Sequence, residues 1–181
     1  RALMAELERL ANHLGDVGAI CNDASFSLMH AHCADLRERV LRAADSCFGH
    51  RLMRDCIVPG GAAHDLNVAG MQTIHALIRE IRAKFPGLVS LYDNTASLRN
   101  RTVAAGILKP GLALKFGAGG YVGRASGRDF DARRDLKYPP YDRLSFDVPV
   151  FQEGDVNARV WVRIREIEQG LSLISQSLDG L

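Results

Sequence analysis

The densest chemistry in the sequence lies between Gly123 and Tyr141, where Arg124, Arg128, Arg133 and Arg134 alternate with Asp129, Asp131 and Asp135 and are followed by Tyr138 and Tyr141. So many guanidiniums and carboxylates in one glycine-bearing stretch either face water or pair in a fixed network, because a buried charge without a partner is expensive. Arg124 follows Gly123 and precedes the small run Ala125-Ser126-Gly127. The backbone there can pack closely while the planar fork of the guanidinium reaches an anionic or electron-rich group. A salt-bridged connector in which Arg124 pairs only with Asp131 or Asp135 accounts for the same residues.

A second group is Glu6, Arg9, His13 and Asp16, spaced by three and four so that they share one stripe of a helix. Each stands one position before an apolar residue of the series Leu7, Leu10, Leu14, Val17, which with Leu3 forms a seam. Near the other end Arg159, Arg163 and Glu166 border a second seam of Val160, Ile164, Ile167, Leu171, Ile174 and Leu178. Glu6 and Asp16 offer acceptors and Arg159 and Arg163 offer donors, so the matching phase predicts one polar network between the first and last helices. A solvated face on each helix is the alternative.

Other motifs carry less. Gly117-Ala118-Gly119-Gly120-Tyr121-Val122-Gly123 fails the dinucleotide-binding spacing, which needs glycine where Val122 stands, and no strand precedes it. His30-Ala31-His32-Cys33 has metal-ligating residue types, but neighbours at these offsets on a helix do not converge on one point. Cys21, Cys33, Cys47 and Cys56 stand far apart with no Cys-x-x-Cys, so reduced, mostly buried thiols are expected. A formal charge of +2 makes no electrostatic case for nucleic acid or an anionic membrane, and no apolar run is long enough to span a bilayer. The residues read as a soluble, cytoplasmic chain.

These groups need elements to hold them. The apolar periodicity predicts helices over 2–20, 27–48, from Asp65 to Phe85 with Pro86-Gly87 closing it, and from Asp155 to about Leu178. Gly15 and Gly18 inside the first helix point to close approach of a neighbouring backbone, and Gly49 supplies a left-handed stop to the second. Between 88 and 155 the pattern breaks into an Arg/Gly-rich irregular connection, with short helices near 89–98 and 110–116. Phe146 to Val150 reads as an edge strand paired with Cys56-Ile57-Val58. The expected fold is mainly α: a bundle of four long helices with a long irregular connection and a minor two-stranded β element, 1–181 forming a single segment. The seam already runs at Leu3 and lasts to Leu178, so the segment is expected to be the middle of a longer subunit.

Taken in order, Glu6-Leu7-x-Arg9-Leu10-x-x-His13, Asp23, Arg37-Glu38, Gly49-x-Arg51, Gly60-Gly61, Arg124-Ala125-Ser126-Gly127, Asp131-x-Arg133, Phe146-Asp147-Val148-Pro149, Gly154-Asp155 and Arg163-x-x-Glu166 resemble the large subunit of membrane-bound nickel-iron hydrogenases. The related 49 kDa, or D, subunit of NADH-quinone oxidoreductase (respiratory complex I) belongs to the same superfamily. The resemblance covers nearly the whole chain. It implies a redox subunit whose bundle, together with an iron-sulfur small subunit, surrounds a cavity near an iron-sulfur cluster. That cavity holds a nickel-iron centre bound by two cysteine pairs in the hydrogenases and receives quinone in complex I.

No such cysteine pair is present here, so the resemblance implies that the segment itself binds no cofactor and is inactive alone. The partners implied are the small subunit and membrane subunits, with the complex peripheral on the inner face of the cell membrane. Carried over by position, Glu6, Arg9, His13, Asp23, Arg51, Arg124, Ser126, Asp131, Arg133 and Tyr138 are candidates for the cavity or for a proton or quinone pathway. Asp23 matches an aspartate at the quinone head-group pocket, whereas Met53 stands where complex I has a histidine. The run around Arg124 and Asp131-x-Arg133-Arg134 looks more like energy-converting hydrogenases of the formate hydrogenlyase type. Hydrogen or proton turnover is therefore the first expectation, the quinone-reducing 49 kDa role the second, and a non-catalytic structural relative the third.

Overall fold

A computed structural model describes residues 1–180. Four long helices make the bundle: α1 (Ala2–Asp23), α2 (Ser27–Phe48), α3 (Val68–Asn94) and, near the end of the chain, α8 (Val156–Asp179). The connection between α3 and α8 holds α4 (Ala96–Thr102), α5 (Pro110–Lys115), α6 (Gly120–Ala125) and α7 (Ala132–Asp135). Between α2 and α3 a hairpin pairs β1 (Ile57–Val58) with β2 (Gly61–Ala62), antiparallel. The mainly α architecture and its small β element match the sequence expectation.

Burial follows the seams. Leu3, Leu7, Leu10, Leu14 and Val17 of α1 meet Val160, Ile164, Ile167, Leu171, Ile174 and Leu178 of α8 and the Cys33, Leu36 and Val40 face of α2 in one continuous core. Each such side chain contributes about 1.5–3 kcal/mol by leaving water. Gly18 permits the α1–α2 approach, since a Cβ there would lie 2.9 Å from Cys33 Cβ and 3.4 Å from His30 Cα. Gly49 caps α2 at φ 78°, as its position predicts.

Three local expectations are corrected. Helix α3 starts at Val68 with Asn67, not Asp65, as its cap, and it runs through Pro86 to Asn94. Phe85 and Tyr92 lie fully buried on the continuing seam while Pro86 and Arg82 face solvent. The backbone bond that proline removes therefore falls where water can reach the Arg82 carbonyl, and burial of the seam outweighs the lost bond. The predicted helix over 89–98 is thus divided between the end of α3 and α4.

The expected pairing of Phe146–Val150 with Cys56–Val58 does not form. Pro59-Gly60 turns the chain so that Ile57 and Val58 pair with Ala62 and Gly61. The 145–147 segment instead lies along α8, where Gln176 Oε1 accepts from Ser145 N at 2.8 Å and Gln169 Oε1 accepts from Asp147 N at 3.1 Å. The connection from 96 to 135 is also more helical than its glycine content suggests, with α6 and α7 unforeseen.

Candidate functional site

The charged stripe of α1 is buried, and it faces α8 and the connection. Glu6 is wholly enclosed. Its two carboxylate oxygens each accept from Arg133 Nη1 at 3.1 Å, and Oε1 also accepts from the Tyr141 hydroxyl at 2.7 Å. Arg9, a helical turn along and one-third exposed, brings Nε to 3.5 Å from Glu6 Oε2.

Helix α7 exists to aim Arg133. Asp131 caps it by accepting from Arg133 N at 2.9 Å, and the same carboxylate takes the guanidinium fork, Nε at 2.9 Å and Nη2 at 2.7 Å. With Nη1 on Glu6, the Arg133 guanidinium is shared between two carboxylates and lies over the Phe146 ring at 5.1 Å. Beyond Asp131 stands Arg124 at the end of α6. Its Nη1 donates to Phe130 O at 3.2 Å and lies 3.6 Å from Asp131 Oδ2, and its Nη2 pairs with Glu166 Oε1 on α8. The other Glu166 oxygen lies 2.6 Å from His13 Nε2, an ion-pair distance set off the line of the ring N–H.

The order is therefore Tyr141, Glu6, Arg133, Asp131, Arg124, Glu166, His13. It leaves α1 at Glu6 and returns to α1 at His13, about 10 Å along the helix. Three carboxylates (Glu6, Asp131, Glu166) balance three guanidiniums (Arg9, Arg124, Arg133), the condition for holding such groups out of water.

Protonation follows the same geometry. Burial alone would raise the Asp131 carboxyl, but the hydrogen bonds and charge of Arg133, with Arg124 behind, draw it down to about 2. Burial likewise opposes ionised Glu166, and His13 and Arg124 more than offset it, holding the carboxyl below its ordinary value. Burial works against the charge of Arg133 too, yet Asp131 and Glu6 hold its pKa above the usual value. Burial and then the Glu6 charge push the Tyr141 phenol well up, so it stays a donor.

The predicted link between Asp16 and Arg163 forms, at 3.1 Å, with the Arg163 guanidinium 3.5 Å from the Tyr121 ring centre. The other half of that expectation is corrected. Glu6 pairs with Arg133 and Tyr141, and Arg159 donates to Gly106 O, because α8 runs antiparallel to α1 and places Gly170, not Arg159, beside the Glu6 carboxylate.

Of the candidates, Glu6, Arg9, His13, Arg124, Asp131 and Arg133 come together, and Ser126 is buried two positions after Arg124. Tyr138 is half-exposed and reaches the network only through its ring, 5.1 Å edge-on from Tyr141. Asp23 stands exposed at the far end of α1, about 25 Å from Glu6 along the helix. Arg51 is also exposed, forked onto Glu38 at 3.1 and 2.6 Å. Glu166 and Tyr141 complete the network and were absent from the candidate set, although the stripe spacing already marked Glu166.

Tyr141 is buried, yet it also borders a pocket. With Leu3, Met53, Ile57, Tyr138 and Pro140 it lines a largely apolar cavity of about 790 Å³. Among the described residues no group of three or more His, Cys, Asp or Glu side chains is placed to hold a metal ion. Cys21, Cys33 and Cys56 are buried and burial pushes the Cys21 and Cys33 thiols up to about 11 and 12, the reverse of what a thiolate metal ligand needs. These residues do not fit a nickel-iron centre. Among the described residues no helix is long and apolar enough to cross a membrane.

The sequence profile described as "Respiratory-chain NADH dehydrogenase, 49 Kd subunit" matches residues 23–181. The D subunit of the NADH-quinone oxidoreductase of Desulfotalea psychrophila is 37% identical over 183 residues, covering 100% of this chain and 49% of that protein. Its counterpart in Syntrophobacter fumaroxidans is 32% identical, covering 100% of this chain and 48% of that protein. The membrane-bound sulfane sulfur reductase, an archaeal respiratory membrane complex, contains a chain that superposes with a TM-score of 0.92 at 27% identity, over 99% of this chain and 48% of that one. The chain spans about half the length of the curated relatives it matches. These relatives favour the 49 kDa expectation, and none of them is described as a hydrogenase. The chain belongs to the respiratory-chain NADH dehydrogenase 49 kDa subunit family.

Proposed function

We propose that this chain is the part of a quinone-reducing oxidoreductase subunit that holds a dehydrated, charge-balanced network against the reaction cavity. The observation that carries the reading is Tyr141, whose ring lines the apolar cavity while its hydroxyl donates to Glu6 at the head of the buried network. The walls formed by Leu3, Met53, Tyr138 and Tyr141 suit a flat, mostly apolar ring. A quinone bound there supplies an acceptor for two electrons and two protons. The electrons come from an iron-sulfur cluster on a partner small subunit, and membrane subunits hold the complex on the cytoplasmic face of the membrane. This chain's own part is to exclude water, to keep the Tyr141 phenol protonated beside the cavity, and to fix Glu6 through Arg133 so that the phenol has one orientation.

The test is Tyr141→Phe in the assembled complex. Quinone-linked turnover is expected to fall at least tenfold while electron transfer from NADH to an artificial acceptor upstream of quinone keeps its rate. An unchanged quinone-linked rate rejects the reading.

A second reading keeps the network and changes the final acceptor. Met53 stands where the resemblance to complex I puts a histidine, and the structural neighbour is a sulfane sulfur reductase. A hydrogenase of the energy-converting type requires two Cys-x-x-Cys pairs supplied by flanking sequence, since Cys21, Cys33, Cys47 and Cys56 do not provide them. Reading those flanks decides between nickel-iron and quinone chemistry.

A further inference from the structure

The 35 residues from Asn94 to Arg128 contain no carboxylate, where the chain's average of 21 in 181 would give about four. They contain six basic residues instead. Arg124 belongs to the buried network, and Arg101 and Arg128 donate to the backbone oxygens of Ala24 and Ala118. Arg99, Lys109 and Lys115 have no carboxylate partner among the described residues.

Large apolar side chains stand among these cations. Ile107, Leu112, Leu114 and Phe116 are 55%, 47%, 73% and 74% exposed. A single exposed leucine is ordinary, but four large apolar side chains exposed within ten residues mark an interaction surface. The segment is also held firmly. Leu108 N donates to Gly154 O at 2.9 Å, Ala113 is the buried residue of α5, and Ala118 N donates to Ala113 O at 2.9 Å. A surface fixed in this way loses little conformational freedom on docking.

We propose that the lip formed by residues 107–116 docks onto another subunit whose surface carries carboxylates around an apolar hollow. The carboxylates meet Lys109 and Lys115, and the hollow receives Leu114 and Phe116. Nucleic acid would leave the apolar side chains unused. A bilayer surface is recognised by a continuous amphipathic helix with several cations on its polar face, whereas α5 has six residues and Lys115 folds toward its own neighbour Phe116, 5.9 Å from the ring centre. The inference concerns assembly and does not depend on which acceptor the enzyme reduces.

The experiment uses the assembled complex. Leu114→Cys is labelled with a water-soluble maleimide, its rate compared with that of the same complex unfolded in denaturant. A docked lip gives labelling at least tenfold slower, whereas exposure of 73% predicts nearly equal rates. A photo-crosslinking amino acid at Phe116 is expected to join a peptide of another subunit rich in Asp and Glu. Lys109→Glu with Lys115→Glu should lower incorporation into the complex at least tenfold, with Lys109→Arg and Lys115→Arg restoring it. Equal labelling rates, crosslinks to lipid, crosslinks to flanking parts of the same polypeptide, or crosslinks to a peptide without acidic residues would each overturn the proposal, and the labelling result stands even if the charge-reversed variant does not fold.

Discussion

The outer face of α2 and the buried face of α1 use the same chemistry. On α2, Arg39 pairs with Asp35 and with Glu80 of α3, each at 3.0 Å, and Glu38 takes Arg42 at 2.8 Å and Arg51 at 2.6 Å. On the inner face Arg133 holds Asp131 at 2.7 Å and Glu6 at 3.1 Å. The distances overlap, and Glu38 and Asp131 are both drawn down to about 2. Only water separates the two cases: the α2 side chains are 32–76% exposed and the Arg133 cluster 0–5%. A hydrated pair loses little when broken, because water replaces the partner, whereas a dry pair leaves a stranded charge. Distances and pKa directions therefore do not rank these ion pairs, and burial does.

The comparison breaks most visibly at Arg133. Arg133→Ala strands Glu6 and Asp131 together and is expected to lower unfolding free energy by about 3–5 kcal/mol, whereas Arg51→Ala, which breaks a pair in water, is expected to move the unfolding midpoint little. Denaturant midpoints of the two variants, at equal slope, check the pair. Acid sharpens the contrast. Asp131 has a depressed folded-state pKa, so its contribution, on the order of 2 kcal/mol, is fully present above about pH 4 and is lost as pH falls through about 2. Asp131→Asn should flatten the acid limb of a stability–pH curve more than Glu38→Gln does, because water and salt screen the exposed Glu38 pairs.

Smaller effects test the boundary between the two regimes. Arg163 is buried but its partner Asp16 is 47% exposed, so Arg163→Ala is expected to cost about 1–3 kcal/mol, between the two limits. A loss well under 1 kcal/mol in urea unfolding would detach this pair from the buried network. Arg124→Lys keeps the charge but loses the fork between Glu166 and Phe130 O. It should lower the melting temperature by a few degrees, equivalent to about 1 kcal/mol. Unchanged melting together with lost turnover would make Arg124 a residue of the reaction instead of the frame.

The parts legible in sequence are those where one local rule and the tertiary structure agree. Every seam residue named in α1 and α8 is buried, because a period of three and four is all that helix packing requires. Pro86 misled because propensity is local while the seam from Ile74 to Tyr92 is not. Phe146–Val150 looked like a strand, but Asp147 and the adjoining Ser145 bond the side chains of Gln169 and Gln176, which no strand pattern encodes. The site divides in the same way. The stripe spacing revealed that Glu6 and His13 share a face, and the glycines around Arg124 revealed a close approach. That Glu6 meets Arg133, 127 positions away, was illegible, since Arg133 is aimed by a four-residue helix whose cap is Asp131. Asp23 and Arg51 entered through resemblance alone, and both stand on the surface of the described residues.

The central claim is that the buried pairs act as one unit. Glu6 and Glu166 are joined through Arg133, Asp131 and Arg124. A double-mutant cycle of Glu6→Gln and Glu166→Gln, read by denaturant unfolding, tests the claim directly. A coupled network predicts an interaction energy above about 0.5 kcal/mol, whereas free energies that add within about 0.3 kcal/mol would mean that the two carboxylates belong to separate ion pairs.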